Sequence, residues 1–435
     1  MKTYNSDTNG IKFDALIEPV FNSFCIGLFV RAGSKFETEN NNGITHLLEH
    51  VIIRNLKKSY GENFYEIMAA NGVDIDACTY KEFLHFSVCG PSYSFEFASD
   101  LFCRLFDEIK ISSDEFQREK ARIKAEFRER DEKHTLDYAF SKAVWKDTCV
   151  EKTILGGLGN VSRISLKKLN EYRNIIFSVD NVCVVLTGNV SDSGIESFKN
   201  KLGCVKLNPN KTYFNNSAGN AAKVFCRNDD IIVMASDWCY IKIGFDVETQ
   251  KYRGGVHDLL YSILFKGDKA LIYNSLSEDN PLIYSYDATY EQYDDISNIS
   301  VKFEVAQENM LEAFEYLIKS FNRLKSGDFN FEANYKYELA SCVFTADNPS
   351  NLNWDLGYYN FILKTDALNF YDEKFGRFNG ISKENVVEAA KDIFQRRNAT
   401  VAIKSSKRRI KTNELEGVLK LLDAPLGEYC FEERR

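Results

Sequence analysis

Histidine is scarce in this sequence, with five residues among 435. Basic residues do not outnumber acidic ones either, since 55 Lys and Arg face 63 Asp and Glu and the formal net charge is -8. Proteins that bind nucleic acids carry a basic surface to meet the phosphates, so this balance argues against a nucleic-acid partner. The sequence also has no apolar run of membrane-spanning length and no signal-peptide core at its start. We therefore expect no membrane association and a cytoplasmic location.

Cysteine motifs are also missing. The chain has 11 cysteines, an odd number, without a C-x-x-C pair or a regular spacing. Disulfide frameworks and cysteine-based zinc sites show such spacings. The pattern therefore indicates free thiols in a reducing compartment, and we do not expect cysteine to bind a metal here.

One short motif holds two of the five histidines, because residues 46–50 read His-Leu-Leu-Glu-His. Apolar residues recur around it at helical spacing, which predicts an amphipathic helix over about residues 43–57. On such a helix His46 and His50 share a face and can reach one metal ion, with Glu49 beside them. The order H-x-x-E-H is the inverzincin signature of metallopeptidases. The alternative is an ordinary amphipathic helix whose histidines lie four apart by chance.

A catalytic zinc site takes a third protein ligand, which must come from elsewhere in the chain. Residues 112–133 are the best source in the sequence. They open with Ser112 and Glu115, the two partners of a capping box, and continue as a charged helix. Glu119 and Glu126 lie seven residues apart and share a helix face with apolar residues, where carboxylates are uncommon without a partner.

With Glu126 as the candidate third ligand, the sequence resembles the pitrilysin and mitochondrial processing peptidase family. In this family the third ligand follows the second histidine at the same separation that Glu126 has from His50. Residues 26–34 and 76–82 also resemble family strands before and after the motif. The resemblance implies one zinc ion per chain held by His46, His50 and Glu126, with Glu49 as general base and Glu119 as a supporting residue. A solvated helix position is the alternative for Glu119, and manganese or cobalt is the alternative to zinc.

The resemblance also implies where a substrate binds. Peptides in this family add as a strand to an exposed sheet edge, which corresponds here to Ala77, Cys78 and Thr79, although the same alternation fits an ordinary half-buried strand. The second domain of the family supplies an Arg and a Tyr that steady the substrate carbonyl. Tyr284 matches that tyrosine, as either a catalytic or a core residue, whereas Ser277 stands where the arginine is expected.

An internal repeat divides the chain. Ser165 recurs as Ser382, 217 residues later (382 − 165), and Ile26-Gly27-Leu28 recurs at the same displacement as Ile243-Gly244-Phe245. We therefore predict an α+β fold of two homologous α/β-sandwich domains from an internal duplication, each a mostly antiparallel sheet with helices packed on one face.

The predicted domains are residues 1–220, which carry the zinc motif, and residues 221–435, with a polar linker between them. The positions 217 residues beyond His46, Glu49 and His50 are occupied by Ile263, Lys266 and Gly267. The second domain is therefore expected to be catalytically inactive.

Together these features predict a zinc-dependent endopeptidase that cleaves peptides or a peptide leader. Because the arginine is missing, we expect the zinc subunit of a heterodimer whose homologous half-length partner supplies the Arg/Tyr pair, and we favour this over a homodimer. A maturation protease, for example for a bacteriocin or another modified peptide, is one alternative. A catalytically inactive scaffold of the same fold is another, although such proteins usually lose metal ligands that this sequence keeps.

Overall fold

The computed structural model describes residues 2–130, 135–210, 231–249, 251–252, 255–293, 296–364, 376–405 and 410–425. These residues form two compact units, each with its own β-sheet. The first unit takes its described residues from 2–130, 147–210 and 342–376, and the second from 135–146, 231–341 and 377–425.

The first unit is built on a six-stranded mixed sheet. Its strands are β1 (Lys2–Thr8), β2 (Ile11–Ile17), β3 (Ser23–Arg31), β4 (Asp74–Thr79), β5 (Phe83–Pro91) and β6 (Val182–Gly188). They lie in the order β1-β2-β6-β3-β5-β4, antiparallel throughout except for the parallel pair of β2 and β6. The sequence of β6, Val-Cys-Val-Val-Leu-Thr-Gly, is buried at every position, as expected of a strand covered on both faces.

The helices of the first half are α1 (Ile44–Tyr60), α2 (Phe64–Asn71), α3 (Phe95–Cys103), α4 (Ser113–Arg130), α5 (Leu136–Val144), α6 (Leu158–Arg163), α7 (Leu166–Ile176) and α8 (Asp192–Gly203). Apart from α5, they pack their apolar sides over one face of the first sheet. Alternate residues of β3, Ile26 and Leu28, join Leu47 and Val51 of α1 in this core.

The second unit is built on a five-stranded sheet in which only one pair is parallel. Its strands are β7 (Ile231–Ala235), β8 (Cys239–Val247), β9 (Tyr286–Gln292), β10 (Ser297–Val305) and β11 (Ala399–Ser405), in the order β7-β11-β8-β10-β9. The helices of the second half are α9 (Val256–Phe265), the short α10 (Leu271–Tyr273), α11 (Met310–Ser326), α12 (Phe331–Ala346), α13 (Pro349–Gly357), α14 (Lys383–Ile393) and α15 (Thr412–Leu419).

The two sheets confirm the predicted duplication and the α+β class. Without β1, the first sheet reads β2-β6-β3-β5-β4 and matches β7-β11-β8-β10-β9 strand for strand, including the position of the parallel pair. Both α14 and β11 begin and end 217 residues (383 − 166) after α7 and β6. Ser165 and Ser382 cap the two helices with their side-chain oxygens.

A helix also covers the opposite face of each sheet, which the sequence did not predict. In the first unit α13 packs on β3 and β6, and in the second unit α5 packs on β8 and β11. A Cβ atom added at Gly27 would lie 2.0 Å from the Asn353 side chain of α13, and one at Gly244 would lie 2.6 Å from the Phe140 side chain of α5. Each half of the chain thus supplies one nine-residue helix to the unit that holds the other half's sheet.

The predicted boundary between residues 220 and 221 falls outside the described residues and stays a prediction. In the part of the chain that the structure describes, no helix has both the length and the apolar character needed to cross a membrane.

Candidate metal centre

The H-x-x-E-H motif lies on α1, whose apolar face anchors it to the first sheet. A left-handed backbone at Gly43, with a φ of 96°, leads the chain into this helix. The apolar residues predicted to face the core are all buried: Ile44, Leu47, Leu48, Val51, Ile52 and Leu56. The motif residues are left on the side that meets α4 and β4.

A buried carboxylate that the sequence did not single out holds the start of α1. Glu37 accepts hydrogen bonds from the backbone N–H groups of Gly43 and Thr45 at 2.7 and 2.9 Å. It also accepts bonds from the side chains of Thr45 and Asn42 at 2.7 and 2.8 Å. The first N–H groups of a helix have no partner within it, and negative charge is favourable there. Glu37 lies outside the helix without capping-box spacing, which is why the pattern gave no signal for it.

The helix α4 brings the acidic side chains to α1. The hydroxyl oxygen of Ser112 accepts from the N–H of Glu115 at 3.2 Å, and the Glu115 carboxylate accepts from the N–H of Ser112 at 2.8 Å. The predicted capping box is therefore confirmed, and it fixes where α4 begins. From this start, Glu119 and Glu126 both lie on the side of α4 that faces the two histidines.

His46, His50 and Glu126 converge on one point. Glu126 Oε2 lies 3.1 Å from His46 Nε2 and 3.8 Å from His50 Nε2. The two imidazole rings have centroids 4.8 Å apart. In the described ranges, these three side chains form the single group of His, Cys, Asp or Glu residues whose ligand atoms could hold a metal ion, all within 4.8 Å of one another.

The donor set fits a zinc ion. Two ligand atoms about 2.0–2.1 Å from a tetrahedral zinc lie roughly 3.3 Å apart, a value between the two separations measured from Glu126. Burial lowers the pKa of His46, and the nearby charge of His50 lowers it further. His46 is therefore neutral at pH 7, the form in which an imidazole binds a metal.

Glu119 lies behind His50. Its Oε2 is 3.6 Å from His50 Nδ1, and Arg122 donates to its two oxygens at 3.0 and 3.2 Å. Burial by itself would raise the pKa of Glu119, but the hydrogen bond with His50 and the charge of Arg122 outweigh it and leave the pKa lowered. The residue is 2 % exposed, so the alternative of a solvated helix position does not hold.

Glu49 lies beside the same cluster and contacts the sheet edge. Its Oε2 accepts a hydrogen bond from the Thr79 hydroxyl at 2.7 Å and lies 3.7 Å from His46 Nδ1. Thr79 is the last residue of β4. The sequence predicted Glu49 and Thr79 for separate roles, and the structure brings their side chains into direct contact.

The strand β4 is an edge of the first sheet, and among the described residues it pairs with β5 alone. The N–H of Tyr80 donates to the carbonyl of Phe83 at 2.8 Å. Bonded pairs alternate along an antiparallel ladder, so Cys78 shares bonds with β5, while the N–H and C=O groups of Ala77 and Thr79 face the open edge. Of the three predicted substrate residues, two thus present free backbone groups.

Tyr284 lies in the second unit, between α10 and β9, and its side chain is 96 % exposed. The alternative of a core residue is therefore wrong, while its catalytic role stays a prediction. Ser277, at the position expected for arginine, lies in the helical turn Asn274–Glu278.

The residues of the second half that correspond to His46, Glu49 and His50 differ from those expected from the sequence. The link from β8 to α9 is four residues shorter than the link from β3 to α1, so the displacement falls from 216 at the strand starts (239 − 23) to 212 at the helix starts (256 − 44). The equivalents of the three motif residues are then Asp258, Tyr261 and Ser262, rather than Ile263, Lys266 and Gly267. Neither alignment gives a second H-x-x-E-H.

Comparisons with known proteins agree with this architecture. The Bacillus subtilis protein described as "Uncharacterized zinc protease YmxG" is 21 % identical over 408 residues, which cover 92 % of this chain and 97 % of that protein. The human mitochondrial-processing peptidase subunit beta is 27 % identical over 169 residues, 38 % of this chain and 34 % of that one. The crystal structure of a protease from Helicobacter pylori has the same fold, with a TM-score of 0.80 at 17 % identity, covering 93 % of this chain and 99 % of the other.

Two models of one family match consecutive parts of the sequence. Residues 19–157 match the model described as "Insulinase (Peptidase family M16)", and residues 163–333 match the "Peptidase M16 inactive domain". Together they span more than two thirds of the chain. The chain therefore belongs to the insulinase family of peptidases.

Proposed function

We propose that this chain is a zinc-dependent endopeptidase that cleaves peptides or a peptide leader. The observation that carries the proposal is the convergence of His46, His50 and Glu126 on one point, with the carboxylate of Glu49 next to it. The description of the Bacillus subtilis relative as a zinc protease supports the same metal.

Each residue of the cluster has its own proposed role. His46, His50 and Glu126 would hold one zinc ion, and Glu119 would orient His50 through its Nδ1 side. Bound zinc polarises the substrate carbonyl and lowers the pKa of water. Glu49 accepts the proton of the attacking water and later passes it to the leaving amine. The Thr79 hydroxyl holds the Glu49 carboxylate in one orientation during both transfers.

The open edge of β4 is the proposed substrate site. A peptide that adds there as a strand would bond to the free N–H and C=O groups of Ala77 and Thr79, with Cys78 between them. Because Thr79 also bonds to Glu49, the same strand end would place the scissile bond next to the base.

A partner chain is the proposed source of the missing arginine. Tyr284 is available at the surface to assist the oxyanion, but Ser277 cannot supply the positive charge. A homologous half-length subunit with an Arg/Tyr pair would complete the site as a heterodimer, and the human relative is itself named as a subunit. A specific maturation role, such as removal of a bacteriocin leader, is compatible with this arrangement.

A catalytically inactive scaffold is the second candidate function. The argument against it is that the three side chains proposed as ligands lie close together, with the carboxylate proposed as base beside them. A scaffold has no need to keep a carboxylate as buried as Glu119 behind one of the histidines.

The test is metal content together with cleavage. We expect about one zinc per wild-type chain by elemental analysis, none in His46→Ala, and full retention in the control His85→Leu, whose histidine lies outside the cluster. Cleavage of a quenched fluorogenic peptide is then measured for the chain alone and with a candidate half-length homologue that carries the Arg/Tyr pair. Activity that appears only when the homologue is added to the chain supports the heterodimer. A metal-free wild-type chain would instead support the scaffold.

A further inference from the structure

Two thiols meet on the face of the first sheet that α13 covers. Cys25 of β3 and Cys89 of β5 are directly opposite each other in the antiparallel ladder. Their sulfur atoms lie 2.7 Å apart, and both cysteines are free. Two residues of α13 lie against them: Ser350 Oγ is 3.3 Å from Cys89 Sγ, and Asn353 donates to the carbonyl of Cys25 at 2.9 Å.

The backbone positions suit a covalent link between these sulfurs. Tyr80 and Phe83 form a hydrogen-bonded pair, and bonded pairs recur at every second position along β4 and β5, so Asp74 and Cys89 form one too. The backbone N–H and C=O of Cys89 therefore point toward β4 and away from β3. Cys25 and Cys89 are then a non-hydrogen-bonded pair. Such pairs have Cα atoms about 4.5 Å apart, the closest approach in a sheet. Disulfides require roughly 4.4–6.8 Å between Cα atoms, so the link needs no shift of either strand.

The two thiols are not equivalent. Cys25 is 1 % exposed, whereas Cys89 is partly exposed. Hydrogen bonding from Cys25, together with Ser350, lowers the pKa of Cys89, while the same contact and burial raise the pKa of Cys25. Cys89 is therefore the thiol that an outside reagent meets first and the better nucleophile.

We propose that Cys25 and Cys89 form a reversible redox site, which becomes an intramolecular disulfide by exchange with a low-molecular-weight disulfide such as oxidised glutathione. The thiolate of Cys89 attacks one sulfur of the small disulfide, which forms a mixed disulfide and releases one small thiolate. Cys25 then gives up its proton and attacks the Cys89 sulfur, which releases the second small thiol. The protein loses two protons and two electrons, and the small disulfide takes them up and is reduced to two thiols.

This inference does not depend on peptidase activity, because the pair lies on the other side of the sheet from α1. It also differs from the expectation of permanently free thiols, since the two reduced thiols already lie close enough to form a disulfide. The new bond would link β3 to β5 beneath α13 and so join residues 64 positions apart (89 − 25). A cross-link of that span stabilises the folded chain by restricting the unfolded one.

The experiment exposes the full-length reduced protein to defined mixtures of oxidised and reduced glutathione, followed by acid quenching, alkylation and digestion without reductant. Mass spectrometry should find the Cys25 and Cys89 peptides joined in wild type. In Cys25→Ser, Cys89 should instead carry a single glutathione, because the resolving thiol is gone. In Cys89→Ser, Cys25 should stay free. The fully buried Cys183 should remain unmodified throughout, which shows that the folded protein reacted.

The thermal midpoint gives a second readout. Oxidation should raise the melting temperature of wild type and should raise that of neither serine variant. The proposal is overturned if both cysteines stay alkylatable while glutathione is mostly oxidised, if they pair with other cysteines instead, or if the joined peptides appear only together with modification of Cys183.

Discussion

At the scale of single residues, Glu49 is the group whose chemistry is easiest to separate from its structural role. Glu49→Gln keeps the shape and an acceptor for the Thr79 hydroxyl but removes the base. We expect kcat for a quenched peptide to fall by about 10² to 10⁴ while zinc content stays at the wild-type level. Glu66→Gln, at an exposed position of α2, is the matched control and should leave both unchanged. Loss of zinc in Glu49→Gln would show that Glu49 belongs to the ligand set instead.

His85 makes a residue-scale prediction about acid stability. Burial against Phe29, without a hydrogen-bond partner for its Nε2, lowers the pKa of His85 to about 4. The unfolded value is about 6.5, so the unfolded chain binds this proton first, and stability is full above pH 6.5 and lost as the pH falls toward 4. The loss of unfolding free energy from this group at pH 4 is about 3 kcal/mol.

Urea unfolding at pH 7 and pH 4 checks this. The difference between the two midpoints should be smaller in His85→Leu than in wild type. Burial also lowers the pKa of His257 to about 4, so part of the difference between the two midpoints should remain in the variant. The same midpoint difference in His85→Leu as in wild type would contradict the role of His85 in acid stability.

At the scale of elements, the start of α1 depends on Glu37. Glu37→Ala leaves the N–H groups of Gly43 and Thr45 buried without an acceptor. The expected cost is about 2 kcal/mol or more, measured as a lower denaturant midpoint, together with weaker zinc retention because His46 lies in the same turn. Glu39→Ala, two residues away and exposed, should change the unfolding free energy by less than about 0.5 kcal/mol. Equal effects of the two variants would contradict the role of Glu37.

At the scale of the whole molecule, the exchanged helices tie the two halves of the chain together. A fragment of residues 1–220 would lack α13, which covers Gly27 and Phe29 on the outer face of the first sheet. We expect this fragment to aggregate or to unfold without cooperativity, and to become soluble when residues 221–435 are co-expressed. Size-exclusion chromatography and limited proteolysis measure both outcomes. A monomeric fragment with a sharp unfolding transition would contradict the prediction.

The sequence was sufficient for features that rest on local periodicity or repetition. The helix of H-x-x-E-H, the capping box at Ser112 and the duplication of α7 as α14 follow from such patterns. It was insufficient where distant segments meet. Glu37 lacks a cap spacing, the contact of Thr79 with Glu49 joins two elements, and α13 packs on a sheet built from the other half of the chain. No pattern within a window of residues records those contacts.

The exchange of α5 and α13 has a consequence for how this chain arose. Because both helices have nine residues and cover equivalent glycines of equivalent sheets, they are two copies of one ancestral helix. An ancestor of half the present length would have left one face of its sheet bare as a monomer. Two copies of a half-length chain cover both faces of both sheets when each copy gives this helix to the other, and the present chain contains that arrangement within itself.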